Sequence, residues 1–369
     1  MDKLLKASLT FTGTIIGAGI LGLPYAISKP GFILGLINII LVSSVMLLIS
    51  LMFGEITLRT KEAHQLPGLV EKYIGKKVKY FVTILSIISM YGALVAYIEG
   101  NGKLISNFFG INLLTSKILF FIPFSAIIYF GIKGVEESET ILTLVVIFSI
   151  VILSLASLFY LDFNNLTYIN FSEFFYPTGV IIFALSGLFA IPQMKEILWL
   201  EKNKLKKSIL FGFLIPATLY VFFVFSCIGA LGSNIDEIVT ISLAKYGAFF
   251  LFFGNIFAFF AMSTCFISLG NALREIYLQD FKINKNISFL LSIIPPLISL
   301  FGIATFIQIL SITGSIFMIP LMIVVLCLYQ KTKKIGERKP EYELKIPNFV
   351  IYIVTVFLIF IMFLVMISL

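Results

Sequence analysis

Eleven mainly apolar stretches, each long enough or nearly long enough to cross a bilayer as a helix, dominate this 369-residue chain, at about 7–28, 32–58, 79–107, 117–132, 138–160, 174–198, 207–232, 247–272, 287–302, 305–329 and 347–368. A hydrocarbon core roughly 30 Å thick asks for about 20 apolar residues per helix. Backbone groups in lipid must also be satisfied within the segment that carries them, which helices do. Only 12% of the residues are charged, against about 25% in soluble domains. The chain therefore reads as an all-α polytopic membrane protein with eleven transmembrane helices.

The formal charge of +8 is distributed by side rather than by patch. Threading the spans with the N-terminus in the cytoplasm leaves 23 of the 27 Lys and Arg residues on the cytoplasmic side, which sets the orientation. Leu369 then lies outside the cell membrane. The clusters "KKVK" (76–79) and "KLKK" (204–207) are basic loops facing anionic membrane lipid, not a nucleic-acid surface. The N-terminal "MDKLLKASL" lacks the cleavage site of a removable signal peptide. Cys227, Cys265 and Cys327 all fall in apolar spans, so no disulfide framework is expected. His64 stands alone in a loop with no ligand spacing around it, and no transition metal is expected.

Within the first span, "GTIIGAGILGLPYA" (13–26) places Gly13, Gly17, Gly19 and Gly22 ahead of Pro24. Each interior glycine lowers helix propensity by about 1 kcal/mol, or about 4 kcal/mol for the cluster. A GxxxG packing face accounts for Gly13 and Gly17, and Pro24 alone can kink a helix end. Neither accounts for the recurrence of the pattern in "FALSGLFAIPQM" (183–194), where "GLFAIP" (187–192) follows "GILGLP" (19–24) at an offset of 168. The same offset brings spans 2 to 5 onto spans 7 to 10. Two five-helix halves follow, 1–165 and 166–330, with 331–369 adding an inner loop and one extra helix. Because five is odd, the second half enters from the opposite side, giving an inverted repeat.

Interrupted segments at matching positions point to a transporter's binding site. A broken helix frees N–H and C=O groups at membrane depth, and these must line a polar cavity. Amides after Gly17, Ala18 and Gly19 attract an anion through the positive end of the helix dipole. Carbonyls ending the first half-helix and around Ser186 accept from an ammonium. Separate poles for a carboxylate and an amine describe an amino-acid site, and glycine there would leave room for the carboxylate to reach the backbone.

Charges at mid-depth are costly and usually functional, and few are present. Glu55, Lys195, Glu196, Arg274 and Glu275 lie near span ends, with Glu55 four residues before Arg59. Glu99 is deeper, four residues before Lys103, a spacing that permits a local ion pair; it is also a candidate for gating or coupling. A pocket without fixed charge favours a neutral amino acid. Phe183, Tyr91 and Tyr97 are placed to reach the breaks.

At these residues the chain resembles the amino acid/auxin permease family and, more loosely, the aromatic amino-acid permeases of the amino acid-polyamine-organocation superfamily. "LPGLVEKYIG" (66–75) and "GNIFAFFAMSTCFISLGNAL" (254–273) support the two glycine motifs. The resemblance implies a LeuT-type fold with spans 1 and 6 unwound midway at the substrate. Gly17, Ala18 and Gly19, flanked by Thr14 and Ile20, match the carboxylate-binding turn. Phe183 matches an aromatic gate, and Ala184, Ser186 and Gly187 match the second break. The fold's sodium site would fall on Gly13, Ile16, Ala261, Thr264 and Cys265. Sulfur at Cys265 is a poor ligand for a hard cation, though Ser263 is adjacent, and 138–160 lacks the lysine that proton-driven relatives place there. Coupling to sodium or to protons stays open. The expected function is alternating-access transport of a neutral amino acid, without a cofactor, and with a monomer sufficient. The rivals are a nucleobase or other small solute as cargo, or a non-transporting sensor. An enzyme is not expected, since acids, His and Cys do not cluster.

Overall fold

The computed structural model describes residues 2–62, 64–130 and 135–368, with the side chains of 135–142, 275, 279, 280, 295, 367 and 368 outside that description. The end of the fourth expected span thus lies outside the described residues, as do the side chains at the start of the fifth and that of Glu275. The helices are α1 (Lys3–Ile15), α2 (Gly19–Ser28), α3 (Phe32–Arg59), α4 (Leu66–Tyr73), α5 (Lys76–Phe109), α6 (Leu113–Phe130), α7 (Val135–Ser157), α8 (Thr178–Ala184), α9 (Ile191–Ile197), α10 (Leu205–Leu231), α11 (Val239–Leu243), α12 (Asn255–Glu275), α13 (Lys285–Ile293), α14 (Phe306–Ile312), α15 (Ile319–Ile335) and α16 (Asn348–Ser368).

Among the described residues, nine helical runs are long and apolar enough to cross a membrane, and ten if α1 and α2, bent by 54° at their junction, count as one. The expected count of eleven is not reached, because the segment expected at 287–302 forms only a short apolar run, Lys285–Phe301. There α13 gives way to a 3₁₀ turn at Pro295–Phe301, where two consecutive prolines withdraw backbone donors from an α-helix.

The surface is apolar where a soluble protein's would be polar. Ile33, Ile37 and Ile40 of α3, Phe81, Ile84 and Ile88 of α5, and Phe349, Ile353, Val356, Phe360 and Phe363 of α16 are exposed at helical spacing, a face suited to lipid tails. Several hydroxyls inside the long helices find acceptors one turn back, as in Ser50 of α3 to the Met46 carbonyl and Ser154 of α7 to Ile150.

Charges fasten helix ends on the face that carries the N-terminus. Glu55, fully buried on α3, accepts from Arg59 Nε at 2.9 Å and from the Leu344 N–H at 2.7 Å, and Arg59 reaches Glu343 at 2.8 Å. The loop between α15 and α16 is thereby strapped to α3. Tyr342 donates to the Leu51 carbonyl, and Lys72 pairs with Glu337 at 2.7 Å. The Lys72 ammonium, joined by the Lys61 N–H, holds the Glu337 carboxyl below its usual range. Lys195 of α9 donates to the carbonyls of Thr57, Thr60 and Glu62, three acceptors in and just past the last turn of α3, where a cation also complements the helix dipole.

Replacing Glu55 by Ala leaves the Leu344 N–H without its acceptor and removes the buried partner of Arg59. The expected loss is about 3–5 kcal/mol of stability, read as a shift in the midpoint of unfolding in mixed micelles. An unchanged midpoint would show that the strap is not fastened through Glu55.

Candidate functional site

The first break occupies residues 16–18. Ile16 turns to an extended backbone (φ −79°, ψ 99°) after its N–H bonds the Thr12 carbonyl, and α2 starts at Gly19 with no side-chain cap. The amides at the start of α2 are thus presented to the break by a ten-residue helix whose positive dipole end lies there. The second break lies at 185–187: α8 ends at Ala184, a 3₁₀ turn covers Leu188–Ala190, and α9 restarts with Pro192 in its first turn, where the absent N–H is not needed.

The two breaks meet each other, and they do so reciprocally. A Cβ at Gly19 would stand 2.5 Å from both Cα and Cβ of Ala184, the last residue of α8. A Cβ at Gly187 would stand 2.5 Å from Phe11 and 2.8 Å from Ile15, in the last turns of α1. Each glycine is imposed by the other broken helix. This corrects the expectation that Gly19 is bare so that a carboxylate can approach; the Ala184 backbone occupies that direction. Gly17 is different. Its nearest neighbours would be Cys265 Sγ at 3.3 Å and Tyr97 Oη at 3.5 Å.

From the first break a cavity of about 350 Å³ extends along α1, α9 and α12, on the half of the molecule that carries the N-terminus. Of the sequence-derived residues it brings together Gly13, Thr14, Ile16, Tyr97, Ala261, Thr264 and Cys265. The five positions matched to a cation site therefore line one space. The Thr264 hydroxyl is turned to its own helix, donating to Phe260 at 3.0 Å and Ala261 at 3.1 Å, and that of Ser263 to Phe259. Thr143 of α7 lines the same cavity and reaches Gly13, whose Cβ would lie 2.3 Å from its Oγ1.

Other expected residues sit elsewhere. Ala18 and Ile20 are fully buried, backbone included, and lie outside the cavity lining. Ser186 Oγ donates back to Ile182 at 2.6 Å, and Phe183 is half-buried on α8 outside the cavity lining. Tyr91 bonds Tyr277 and the Leu291 carbonyl at 2.8 Å, joining α5 to α13 away from the breaks. Glu99 does not pair with Lys103. It is buried against Lys117 of α6 and accepts from Ser299 Oγ at 3.2 Å, while Lys103 pairs with Glu237. Tertiary partners displaced the local i,i+4 pair because α6 delivers an ammonium directly to Glu99.

Several contributors lay outside the sequence expectation. Gln193, Ser268 and Thr10 add polar groups to the cavity. Ala261, Thr264, Ser268 and Ala272 form a stripe of small and polar residues at spacings of three and four, a signal readable in advance. Tyr220 was missed as well. It is fully buried on α10, and its hydroxyl donates to the carbonyls of Ile15 and Ala184. Among the described residues no group of three or more His, Cys, Asp or Glu could hold a metal ion.

Comparison with known proteins bears on this arrangement directly. A profile of the tryptophan/tyrosine permease family matches residues 1–365. Tyrosine-specific transport system 1 of Haemophilus influenzae is 26% identical over 365 residues, covering 92% of this chain and 91% of its own. Glutamine transporter 2 of Aliivibrio fischeri is 22% identical, covering 92% and 93%, and the low affinity tryptophan permease of Escherichia coli K12 is 23% identical, covering 75% and 73%. The crystal structure of MhsT in complex with L-phenylalanine superposes with a TM-score of 0.73 at 16% identity over 99% of this chain and 98% of that one, so the LeuT-type fold is shared. The family found is not the amino acid/auxin permease family. The glycine–proline motifs that suggested it are dictated by the breaks themselves and do not separate families built on one fold.

The contacts at the breaks separate two glycines. Gly19→Ala should lose about 1–3 kcal/mol through overpacking against Ala184, with Gly187→Ala behaving similarly. Gly17→Ala, whose Cβ would meet only side-chain atoms at 3.3 and 3.5 Å, should lose clearly less than Gly19→Ala. Equal loss at Gly17 and Gly19 in a thermal-unfolding comparison would contradict this geometry.

Proposed function

The chain belongs to the tryptophan/tyrosine permease family, and from that premise we propose that it is a secondary transporter carrying a neutral amino acid across the cell membrane by alternating access. One observation carries the choice of substrate class: no ionised side chain lines the cavity. A cationic or anionic substrate side chain would enter without a counter-charge, at a desolvation penalty of several kcal/mol. An amino acid's own two charges are provided for separately, the carboxylate by the amides opening α2 and the ammonium by carbonyls at the breaks. The cavity volume lies in the range of small-molecule sites. Thr14, Thr143, Gln193 and Ser268 offer hydrogen bonds to a polar side-chain tip. The substrate is thus an aromatic or amide-bearing amino acid, a reading supported by the tyrosine, tryptophan and glutamine transporters among the relatives.

The two halves, 1–165 and 166–330, act as inverted repeats. The reciprocal contacts of Gly19 with Ala184 and of Gly187 with Ile15 support this, since a two-fold relation would generate such a pair. In this reading the N-terminus is cytoplasmic, the C-terminus is extracellular, and the cavity faces the cytoplasm. A monomer suffices.

Sodium is the proposed coupling ion, held by carbonyls of Gly13, Ile16 and Ala261 with the Thr264 hydroxyl. Thr143 supports this by bringing a second hydroxyl to Gly13 where Cys265 offers only sulfur. The alternative carboxylate, Glu99, is already neutralised by Lys117 and lies outside the cavity lining.

Counterflow into proteoliposomes tests both levels. L-tyrosine, L-tryptophan, L-phenylalanine and L-glutamine should include at least one that is accumulated, while L-lysine and L-glutamate are not. Accumulation of a nucleobase alone, or of nothing, would overturn the assignment in favour of another cargo or a sensor. Thr264→Val should lower sodium-dependent uptake about tenfold, roughly 1.4 kcal/mol of ion binding, and leave sodium-independent exchange intact. Uptake indifferent to sodium but driven by a pH gradient would reject the ion assignment alone.

A further inference from the structure

Tyr220 sits at the one place where the two broken helices end together. Its side chain is 1% exposed, and its hydroxyl lies 2.9 Å from the Ile15 carbonyl and 3.1 Å from the Ala184 carbonyl. Ile15 is the last residue of α1 and Ala184 the last of α8. Carbonyls in the last turn of a helix lack the amide that a continuing helix would supply, and at membrane depth water does not replace it. A buried tyrosine requires one partner for its hydroxyl. This one is shared between two, and they belong to the two different breaks.

We propose that Tyr220 is a positioning residue of the amino-acid site: by holding the ends of α1 and α8 on a single hydroxyl, it sets the relative placement of the two breaks. The proposal rests on the reading of the site given above and adds the group that aligns its two poles. The surrounding contacts locate this role at the breaks. Thr12 Oγ1 donates to the Gly212 carbonyl at 3.1 Å, and Gly212 packs against Ser8 and Phe11, so α1 is already anchored to α10 one turn before Ile15. That anchor does not reach α8. The hydroxyl of Tyr220 does, and it lies beside the junction where Gly19 meets Ala184. Losing it would leave both helices packed while allowing the amides of α2 and the carbonyls of the second break to drift relative to each other. A displacement of that kind lowers affinity for a ligand that must reach both poles at once.

Tyr220→Phe removes the hydroxyl and keeps the ring. L-tyrosine, L-tryptophan and L-glutamine are each titrated against the purified full-length protein, with Thr12→Val as the comparison, since it deletes a buried hydrogen bond between the same helices away from the breaks. For whichever of the three amino acids the wild type binds, Tyr220→Phe should raise Kd at least tenfold and Thr12→Val less than twofold. A Kd within twofold of wild type in Tyr220→Phe, or an equal rise in Thr12→Val, would overturn the proposal. A second measurement needs neither variant nor binding. In the substrate-free wild type, amide exchange at 16–20 and at 185–190 should rise together, as one opening event, when denaturant is titrated in. Openings that differ more than a hundredfold between the two segments would refute a shared fastening. Absence of binding by all three amino acids in the wild type would instead count against the substrate assignment, leaving the exchange result to decide on Tyr220.

Discussion

Every backbone polar group at membrane depth needs a partner, and a helix that stops in the middle of a bilayer leaves some without one. The whole arrangement follows from how this chain meets that demand. It brings its two interrupted helices together, so that the groups freed at each break face the other helix, a buried phenol or a cavity instead of lipid. The Gly19–Ala184 and Gly187–Ile15 contacts close the space between the breaks. Tyr220 accounts for one carbonyl from each. What is left over, the start of α2 without a side-chain cap and the cavity that opens at Ile16, is where the proposed substrate, carrying both a negative and a positive group, would be received.

The placement of charge complements this. Arg59 with Glu343, Lys195 with the end of α3, Glu99 with Lys117, and Lys103 with Glu237 all tie together segments that are distant along the chain. None lines the cavity. Ion pairs away from the cavity hold the scaffold, while the cavity itself works with hydroxyls, an amide, sulfur and backbone dipoles. A substrate site built this way would discriminate by the absence of a counter-charge as much as by the contacts it offers.

The breaks were legible in the sequence because glycine and proline report on the backbone directly, and a repeated glycine–proline pattern has few explanations in an apolar helix. The direction of each glycine was not legible. Gly17 and Gly19 are two residues apart, yet one faces Tyr97 and Cys265 while the other is pressed on α8, and only the packing of distant segments decides which. The partner of Glu99 was misread for the same reason: Lys103 is close along the helix, whereas Lys117 is brought close by the fold. Tyr91 and Tyr220 show the limit most plainly. Nothing local distinguishes them among fifteen tyrosines, and each takes its role from a carbonyl contributed by another helix, 200 residues away for Tyr91 and 36 and 205 for Tyr220.

The central claim is that a neutral amino acid binds where the first break opens into the cavity. Cys265 lies on that wall, Cys227 is fully buried, and Cys327 is exposed on α15. In a Cys327→Ala background, the rate at which a charged, water-soluble thiol reagent modifies Cys265 can be followed by intact-protein mass spectrometry, with and without the amino acid that gives the strongest counterflow. The account predicts modification of Cys265 in the substrate-free protein and at least tenfold protection at saturation. Saturating binding, verified by equilibrium dialysis, with an unchanged modification rate would place the substrate elsewhere and contradict it.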